Sequence, residues 1–171
     1  MDVLICMTLI GDSRLAILTV IQNYIENKIS LRDDQIHVEG SPKRSLQHLN
    51  CVGCANIKKI VIPASAYCMS LSSLNLSLSA NIQEVNLACL NLATLNLSNC
   101  IALEILKLDF PRLTSLLLQA CGIGEQELEC TIQSCNLLEA LDVRFYPKVS
   151  STSIAKLRLI SPDLKWIFSS F

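Results

Sequence analysis

The sequence has few charged residues and almost no histidine, and both shortages limit what the protein can do. Charged residues make up 17% of the 171-residue chain and leave a formal net charge of -1 at pH 7. Surfaces that bind nucleic acid or an anionic membrane carry an excess of Lys and Arg, so we expect neither partner. The two histidines, His37 and His48, offer little for acid–base chemistry, and no nucleophile, base and orienting group recur together. We predict a protein that is not an enzyme and that has no cofactor.

Long hydrophobic runs are also missing, although 51% of the residues are hydrophobic. The apolar run over residues 3–10 follows Asp2 where a signal peptide has basic residues, and Asp12 and Arg14 end it. It is too short to span a membrane. The nine cysteines are an odd number, and most of them fall at repeat positions that suit a small buried side chain. We therefore expect reduced thiols and an intracellular location, in the cytoplasm or the nucleus.

One phrase of the form LxxLxLxx, followed by a small residue, recurs from residue 46 onward. Leu71, Leu74, Leu76 and Ser79 form a clear copy. The xLxL centre has a period of two, so its leucines lie on one side of a short strand and the intervening residues on the other. The nine near-copies begin at residues 46, 57, 71, 82, 92, 103, 113, 138 and 164.

The spacing of the copies predicts the architecture. Between residues 71 and 113 the starts are alternately 11 and 10 residues apart, whereas a complete leucine-rich unit needs roughly 20 to 29 residues. Two copies therefore make one unit, and residues 46–171 are predicted to form an α/β leucine-rich-repeat solenoid with a parallel inner sheet of about six strands. The predicted inner strands are centred on Leu49, Leu74, Leu95, Leu116, Leu141 and Ile167.

The outer face is predicted to change character along the chain. In the early units the strand phrase repeats there, which predicts short strands around Ile60, Val85 and Leu106. In the later units, apolar residues at helical spacing predict helices over residues 125–135 and 150–159. Ser150 or Ser151 is a candidate N-cap of the second helix, and Pro162 ends it.

Residues 1–45 lack the phrase and are predicted to form a divergent N-terminal segment. An amphipathic helix over residues 12–29 is followed by a mobile linker over residues 32–45, which contains Gly40 and Pro42. Repeat arrays normally cover an apolar end with an atypical unit, so we expect the helix to fold back weakly as a cap. Ser41, followed by proline, is a hypothetical phosphorylation site in this linker.

The repeats resemble the C-terminal region of plant F-box/leucine-rich-repeat proteins. The resemblance begins at LNCVGCANIKKIVIP, LSSLNLSLSANIQEVNL, LATLNLSNC and LEILKL, and it continues through PRLTSLLLQAC and LEALDVRFYPKVSS to PDLKWIFSS, over roughly residues 46–170. It implies a surface that recruits protein substrates, in a family whose F-box attaches the receptor to a Skp-type adaptor and a cullin in an SCF-type ubiquitin ligase. Residues 1–45 show no Leu-Pro opening and no Trp-containing third helix of the F-box kind. We expect a truncated chain, with a Skp-type adaptor as partner only if an F-box lies outside it.

The outward positions of the inner strands supply the candidate binding residues for a protein partner. Binding energy at protein interfaces concentrates in Trp, Tyr and Arg, which favours the later units. The candidates are Asn75, Asn96, Gln119, Asp142, Arg144 and Trp166. Two questions stay open. The asparagines that recur at one strand position form either a structural ladder or a recognition surface. Trp166 and Phe168 either contact the partner or only close the final unit.

Some cysteines have the spacing of other kinds of site. Cys51 and Cys54 have metal-ligand spacing, but no second pair and no suitably placed histidine accompanies them, so core packing is the better interpretation and no metal site is predicted. Cys100 and Cys121 occupy the small closing position of the phrase, where a thiol fills a narrow turn, and we interpret them as packing residues rather than redox residues.

Overall fold

The computed structural model describes residues 3–6, 29–32, 35–38, 47–54, 57–62, 71–146 and 148–170. The helices of this part are α1 (Glu125–Ser134) and α2 (Ser151–Ile160). The strands are β1 (Val3–Cys6), β2 (Ile29–Arg32), β3 (Gln35–Val38), β4 (His48–Cys51), β5 (Lys59–Ile62), β6 (Ser73–Asn75), β7 (Glu84–Leu87), β8 (Thr94–Asn96), β9 (Ile105–Leu108), β10 (Ser115–Leu117), β11 (Ala140–Asp142) and β12 (Trp166–Phe168).

The larger sheet is parallel throughout and follows the order β1-β4-β6-β8-β10-β11-β12. Because each strand has a period of two, its central apolar residue lies opposite the same residue of the next unit. The aligned residues are Leu49, Leu74, Leu95, Leu116, Leu141 and Ile167. The six predicted inner strands are therefore confirmed, and β1 adds a seventh strand to the described sheet.

The smaller sheet has the order β2-β3-β5-β7-β9. β3, β5, β7 and β9 pair in parallel, and Ile60, Val85 and Leu106 lie in register. These are the outer strands that the repeated phrase predicts. Residues of both sheets and of both helices share one apolar core, in which Leu74, Val85 and Leu128 are at most 1% exposed. The described residues thus form a repeat-like α/β fold.

Both helices lie where the sequence predicts them, and local chemistry accounts for their ends. The carboxylates of Glu125 and Glu127 lie in the first turn of α1, where the helix dipole favours negative charge. In α2, the Ser150 Oγ accepts the Ser153 N–H at 3.2 Å, and the Ser153 Oγ accepts the Ser150 N–H at 3.1 Å. This capping box satisfies two backbone donors at the start of the helix. α2 ends at Ile160, two residues before Pro162.

Helix α1 also completes the open edge of strand β9, the last strand of the smaller sheet. The Leu106 N–H donates to the Glu127 Oε1 at 3.2 Å, and the Thr131 Oγ1 donates to the Leu106 carbonyl at 3.2 Å. One turn further along, the Ser134 Oγ donates to the Leu108 carbonyl at 3.3 Å. These three side chains lie at i, i+4 and i+7 on one face of the helix. The outer face can therefore change from strand to helix without leaving buried edge groups unpaired.

The small closing residues Ser79, Cys100 and Cys121 each donate to a backbone carbonyl of the neighbouring unit. The Cys100 Sγ donates to the Leu76 carbonyl at 3.3 Å, and the Cys121 Sγ donates to the Leu97 carbonyl at 3.0 Å. Both thiols are buried, and burial raises the pKa of each to about 12 from the ordinary 9.0. They stay neutral at physiological pH, so each thiol can act as a weak hydrogen-bond donor to a buried carbonyl.

The N-terminal prediction needs correction. The linker predicted over residues 32–45 is wrong at Gln35–Val38, which is strand β3 and pairs antiparallel with β2 and parallel with β5. Its alternation of polar and apolar residues has the period of a strand, but it is only four residues long, and although β2 lies just before it, its parallel partner β5 begins more than twenty residues later. Ile29 begins β2 rather than ending a helix. The rest of the predicted helix, its capping role and Ser41 lie outside the described residues, and the division of the chain into domains at residue 45 stays a prediction.

Candidate functional site

The larger sheet presents one face away from the core, and its outward side chains form columns across the strands. The first column holds His48, Ser73, Thr94, Ser115, Ala140 and Trp166. The second holds Asn50, Asn75, Asn96, Leu117, Asp142 and Phe168. We call this surface the inner face. Its early and middle members are half-buried and mostly small and polar, whereas Trp166 and Phe168 are 63% and 49% exposed.

The asparagine column contributes to the fold through its carbonyl oxygens. The Asn75 Oδ1 accepts the Ser77 N–H at 3.1 Å, and the Asn96 Oδ1 accepts the Ser98 N–H at 2.9 Å. Each bond closes a local turn at the end of its strand. Neither Nδ2 amide donates to a residue that the structure describes. The oxygens of Asn75 and Asn96 are therefore structural, and their amide nitrogens remain as donors on the inner face. The buried Asn50 Oδ1, in the same column, has no hydrogen-bond partner within the described part of the chain.

The turn after each inner strand places one residue in the left-handed region of φ. Leu78 has φ 62° and Phe145 has φ 54°, values that bulky side chains rarely adopt. A bond to the next unit holds each of them: the Leu78 N–H donates to the Ser98 carbonyl at 2.8 Å, and the Phe145 N–H donates to the Ser170 Oγ at 2.7 Å. The Phe145 ring stays 67% exposed at the rim of the inner face.

Asp142 and Arg144 form a closely bonded pair at the C-terminal end of the inner face. The Arg144 Nη2 donates to the Asp142 Oδ2 at 2.6 Å, and the Arg144 Nε donates to the Asp142 Oδ1 at 3.0 Å. The Arg144 backbone N–H also reaches the Oδ1, at 3.1 Å. Burial alone raises the pKa of Asp142, but the hydrogen bonds and positive charge of Arg144 outweigh it, so this pKa lies below its ordinary value. The guanidinium lies over the Phe168 ring, 5.9 Å from its centroid.

A shallow groove of about 240 Å³ lies beside this pair. It exists because β11 carries the small Ala140 between Ser115 of β10 and Trp166 of β12. Its lining is mainly apolar apart from the ion pair. The lining residues are Ser115, Leu116, Leu117, Ala140, Leu141, Asp142, Arg144 and Phe168.

The structure brings together only some of the residues that the sequence selects. Asp142 and Arg144 line the groove, and Trp166 flanks it through its register with Ala140. Gln119 is half-buried at the end of β10, and Asn75 and Asn96 lie on earlier strands of the same face. Sequence reasoning missed Ser115, Leu117 and Ala140. The step from the small Ser115 and Ala140 to the large Trp166 in the first column is the signal that would have found these two small residues.

A second, wider groove of about 410 Å³ lies on the outer face, where α1 covers β9. Its walls include Glu127, Thr131 and Ser134, the side chains that complete the β9 edge. The groove is thus a consequence of the change from strand to helix, and its lining also includes the exposed thiol of Cys130.

Comparison with known proteins adds no family assignment, since no model of a known protein family matches this chain. Among the residues described, no three His, Cys, Asp or Glu side chains are grouped as a metal site. Cys51 and Cys54 are both buried. None of the helices in the described ranges has the length and hydrophobicity needed to cross a membrane.

Proposed function

We propose that this chain is a leucine-rich-repeat solenoid that binds another protein through its inner face. The observation that carries the proposal is the alignment of the outward columns, which run in register from His48 to Trp166 and end in an exposed cluster of Arg144, Phe145 and Phe168. Parallel strands about 4.8 Å apart give such a surface a regular, rigid spacing. Exposed aromatic and Arg side chains are the groups that dominate protein interfaces.

The energetics favour this use of the inner face. The leucines of the phrase are buried in the core and stabilise each unit, so the outward residues can vary without loss of the fold. Small side chains in the middle of the face leave room for a partner to approach the sheet. A net charge of -1 supports a protein partner rather than nucleic acid or a membrane surface.

The resemblance of the repeats extends the proposal to the substrate-recognition region of an SCF-type ubiquitin-ligase receptor, without catalytic chemistry or a cofactor of its own. A Skp-type adaptor joins this picture only if an F-box lies outside the chain. The rival proposal is a structural repeat fragment that binds proteins without any link to a ligase. An intracellular location, in the cytoplasm or the nucleus, accords with the free cysteines of the described part, of which all but Cys130 are buried.

Site-specific photocrosslinking in cell extract tests the binding proposal. A photoreactive amino acid at Thr94 on the inner face should give a discrete adduct that excess untagged chain suppresses. The matched control is Lys107, an exposed position on outer strand β9. Adducts of equal yield from both positions, or none from Thr94, would refute binding through the inner face. Mass spectrometry of complexes purified on the tagged endogenous gene product, which would carry any F-box outside this chain, separates the two proposals, since a Skp-type adaptor is recovered only under the ligase proposal.

A further inference from the structure

The groove beside Asp142 and Arg144 is too small for a typical small-molecule ligand but large enough for one bulky side chain. Its volume of about 240 Å³ is below the roughly 300–1,000 Å³ of pockets that enclose a small-molecule ligand. Leu116 and Leu141, which line it, are fully buried, so they cannot move outward to fill it without loss of core packing. A cleft of this size and apolar character suits one anchor side chain of a protein partner.

The ion pair gives the groove a polar end with a defined sign. The side chain of Asp142 is only 7% exposed, whereas that of Arg144 is 48% exposed. A guanidinium has five N–H donors, and Asp142 occupies the Nε edge and one Nη2 position. The edge formed by Nη1 and Nη2 therefore keeps free donors, and the centroid of the Phe168 ring lies 5.9 Å from the guanidinium carbon. A carboxylate is the group that this planar fork binds best.

No other charge on the inner face competes with this site. In the first and second columns, Asp142 is the only carboxylate within the described strands, and no Lys or Arg occurs there. The nearby Lys165 is paired with Glu139 at 2.7 Å. Because the negative member of the Asp142 pair is buried and the positive member is exposed, the groove offers positive charge to a partner.

We propose that the groove binds one leucine-like side chain of an extended acidic segment of the partner, while the free edge of Arg144 binds the carboxylate of an adjacent residue. This inference rests on the proposed protein-binding function and names the chemistry of the segment that is bound. The apolar side chain fills the space above Ala140, between Ser115 and Phe168. The carboxylate completes a carboxylate–guanidinium–carboxylate arrangement whose inner member is Asp142.

Trp166 is the single tryptophan of the chain and flanks the groove, so its fluorescence reports occupancy directly. The probe is the blocked heptapeptide Ac-GSELESG-amide, in which glutamates on both sides of the leucine allow either chain direction. We expect saturable fluorescence changes with the full chain. Binding should be at least about tenfold weaker for the peptide with alanine in place of leucine, and several-fold weaker for the peptide with glutamines in place of both glutamates.

Two variants of the chain locate the site. Ala140→Leu fills the groove from an outward position and should abolish peptide binding, whereas Gln133→Leu, at an exposed position on α1 away from the inner face, should leave it unchanged. Arg144→Gln should remove the preference for glutamate over glutamine in the peptide, and Arg158→Gln, at an exposed position on α2, is the charge-matched control. Urea unfolding midpoints close to that of the parent chain establish that each variant folds.

The outcomes separate this inference from the function it rests on. Equal affinity for the glutamate and glutamine peptides, or binding that survives Ala140→Leu, overturns the groove assignment. If the peptide does not bind while the Thr94 crosslink to a natural partner persists, only the groove assignment is lost. If the Thr94 crosslink fails as well, the proposed function falls with it.

Discussion

Replacement of Thr131 by valine tests whether α1 completes the edge of strand β9. Valine has nearly the shape of threonine, so the substitution removes one hydroxyl and leaves the packing of a side chain that is only 3% exposed. The Thr131 Oγ1 donates to the Leu106 carbonyl at 3.2 Å. Both backbone groups of Leu106 point toward the helix, where Glu127 takes the N–H. The substitution therefore removes the donor that satisfies this carbonyl.

A buried carbonyl that loses its donor costs about 1–3 kcal/mol of unfolding free energy. Thr114→Val makes the same chemical change and serves as the matched control. The Thr114 Oγ1 donates to the Ala93 carbonyl at 3.1 Å, but that carbonyl also accepts the N–H groups of Thr114 and Ser115 at 3.0 Å each. Because those two bonds remain, the control should lose less than about 1 kcal/mol.

Urea unfolding measures the difference between the two variants. With a slope of about 2 kcal/mol per molar urea, an excess loss of about 1–2 kcal/mol lowers the midpoint of Thr131→Val by about 0.5–1 M more than that of Thr114→Val. Hydrogen exchange adds local evidence, since the Leu106 amide should exchange faster in Thr131→Val alone. Equal losses in the two variants, with unchanged protection of Leu106, would refute edge completion by side chains of α1.

Three further predictions concern single groups. Tyr146→Phe should lower the unfolding free energy by about 1–3 kcal/mol in urea titrations, because the buried Oη donates to the Ile123 carbonyl at 2.7 Å; an unchanged midpoint would contradict this. Iodoacetamide at about pH 8 should alkylate the exposed Cys130 and spare Cys100, whose pKa burial raises to about 12; peptide mapping by mass spectrometry checks the pattern, and rapid labelling of Cys100 in the native chain would contradict it. The lowered pKa of Asp142 makes its contribution to stability fully present above the ordinary 3.8 and lost as pH falls through the lower folded-state pKa. The stability gap between the parent chain and Asp142→Asn should therefore stay constant from about pH 7 to about pH 5 and narrow as pH falls below about 4, and a gap that stays constant below that pH would exclude the ion pair as its source.

Much of the repeat region was predictable because its signal is local. In each unit the strand centre, such as Leu95 or Leu116, lies two residues from the next inward leucine, and this period belongs to a strand in any context. The helices were predictable for the same reason, since Leu128 and Ile132 recur at helical spacing. The strand order of the two sheets followed once two copies of the phrase were assigned to one unit.

The parts that were missed depend on contacts between distant residues. Strand β3 is too short to stand out, and besides its neighbour β2 it pairs with β5, which begins more than twenty residues later. The groove could not be predicted from any one strand, since it results from the small Ala140 lying beside Ser115 and Trp166 after three strands pair. Completion of the β9 edge likewise requires α1 to lie beside Leu106, which no local pattern encodes.

The position that ends each inner strand shows how a recognition site can arise without a change of fold. Asn75 and Asn96 each use one oxygen to accept the N–H two residues later, at 3.1 and 2.9 Å. Asp142 makes the same bond at 3.1 Å, and its second oxygen is left to bind the Arg144 side chain. Asparagine and aspartate thus satisfy the same turn, but only the carboxylate adds an acceptor that orients a neighbouring guanidinium. A change from amide to carboxylate at this column, joined by an arginine two residues later, converts a turn that serves only the fold into a charged end for the groove.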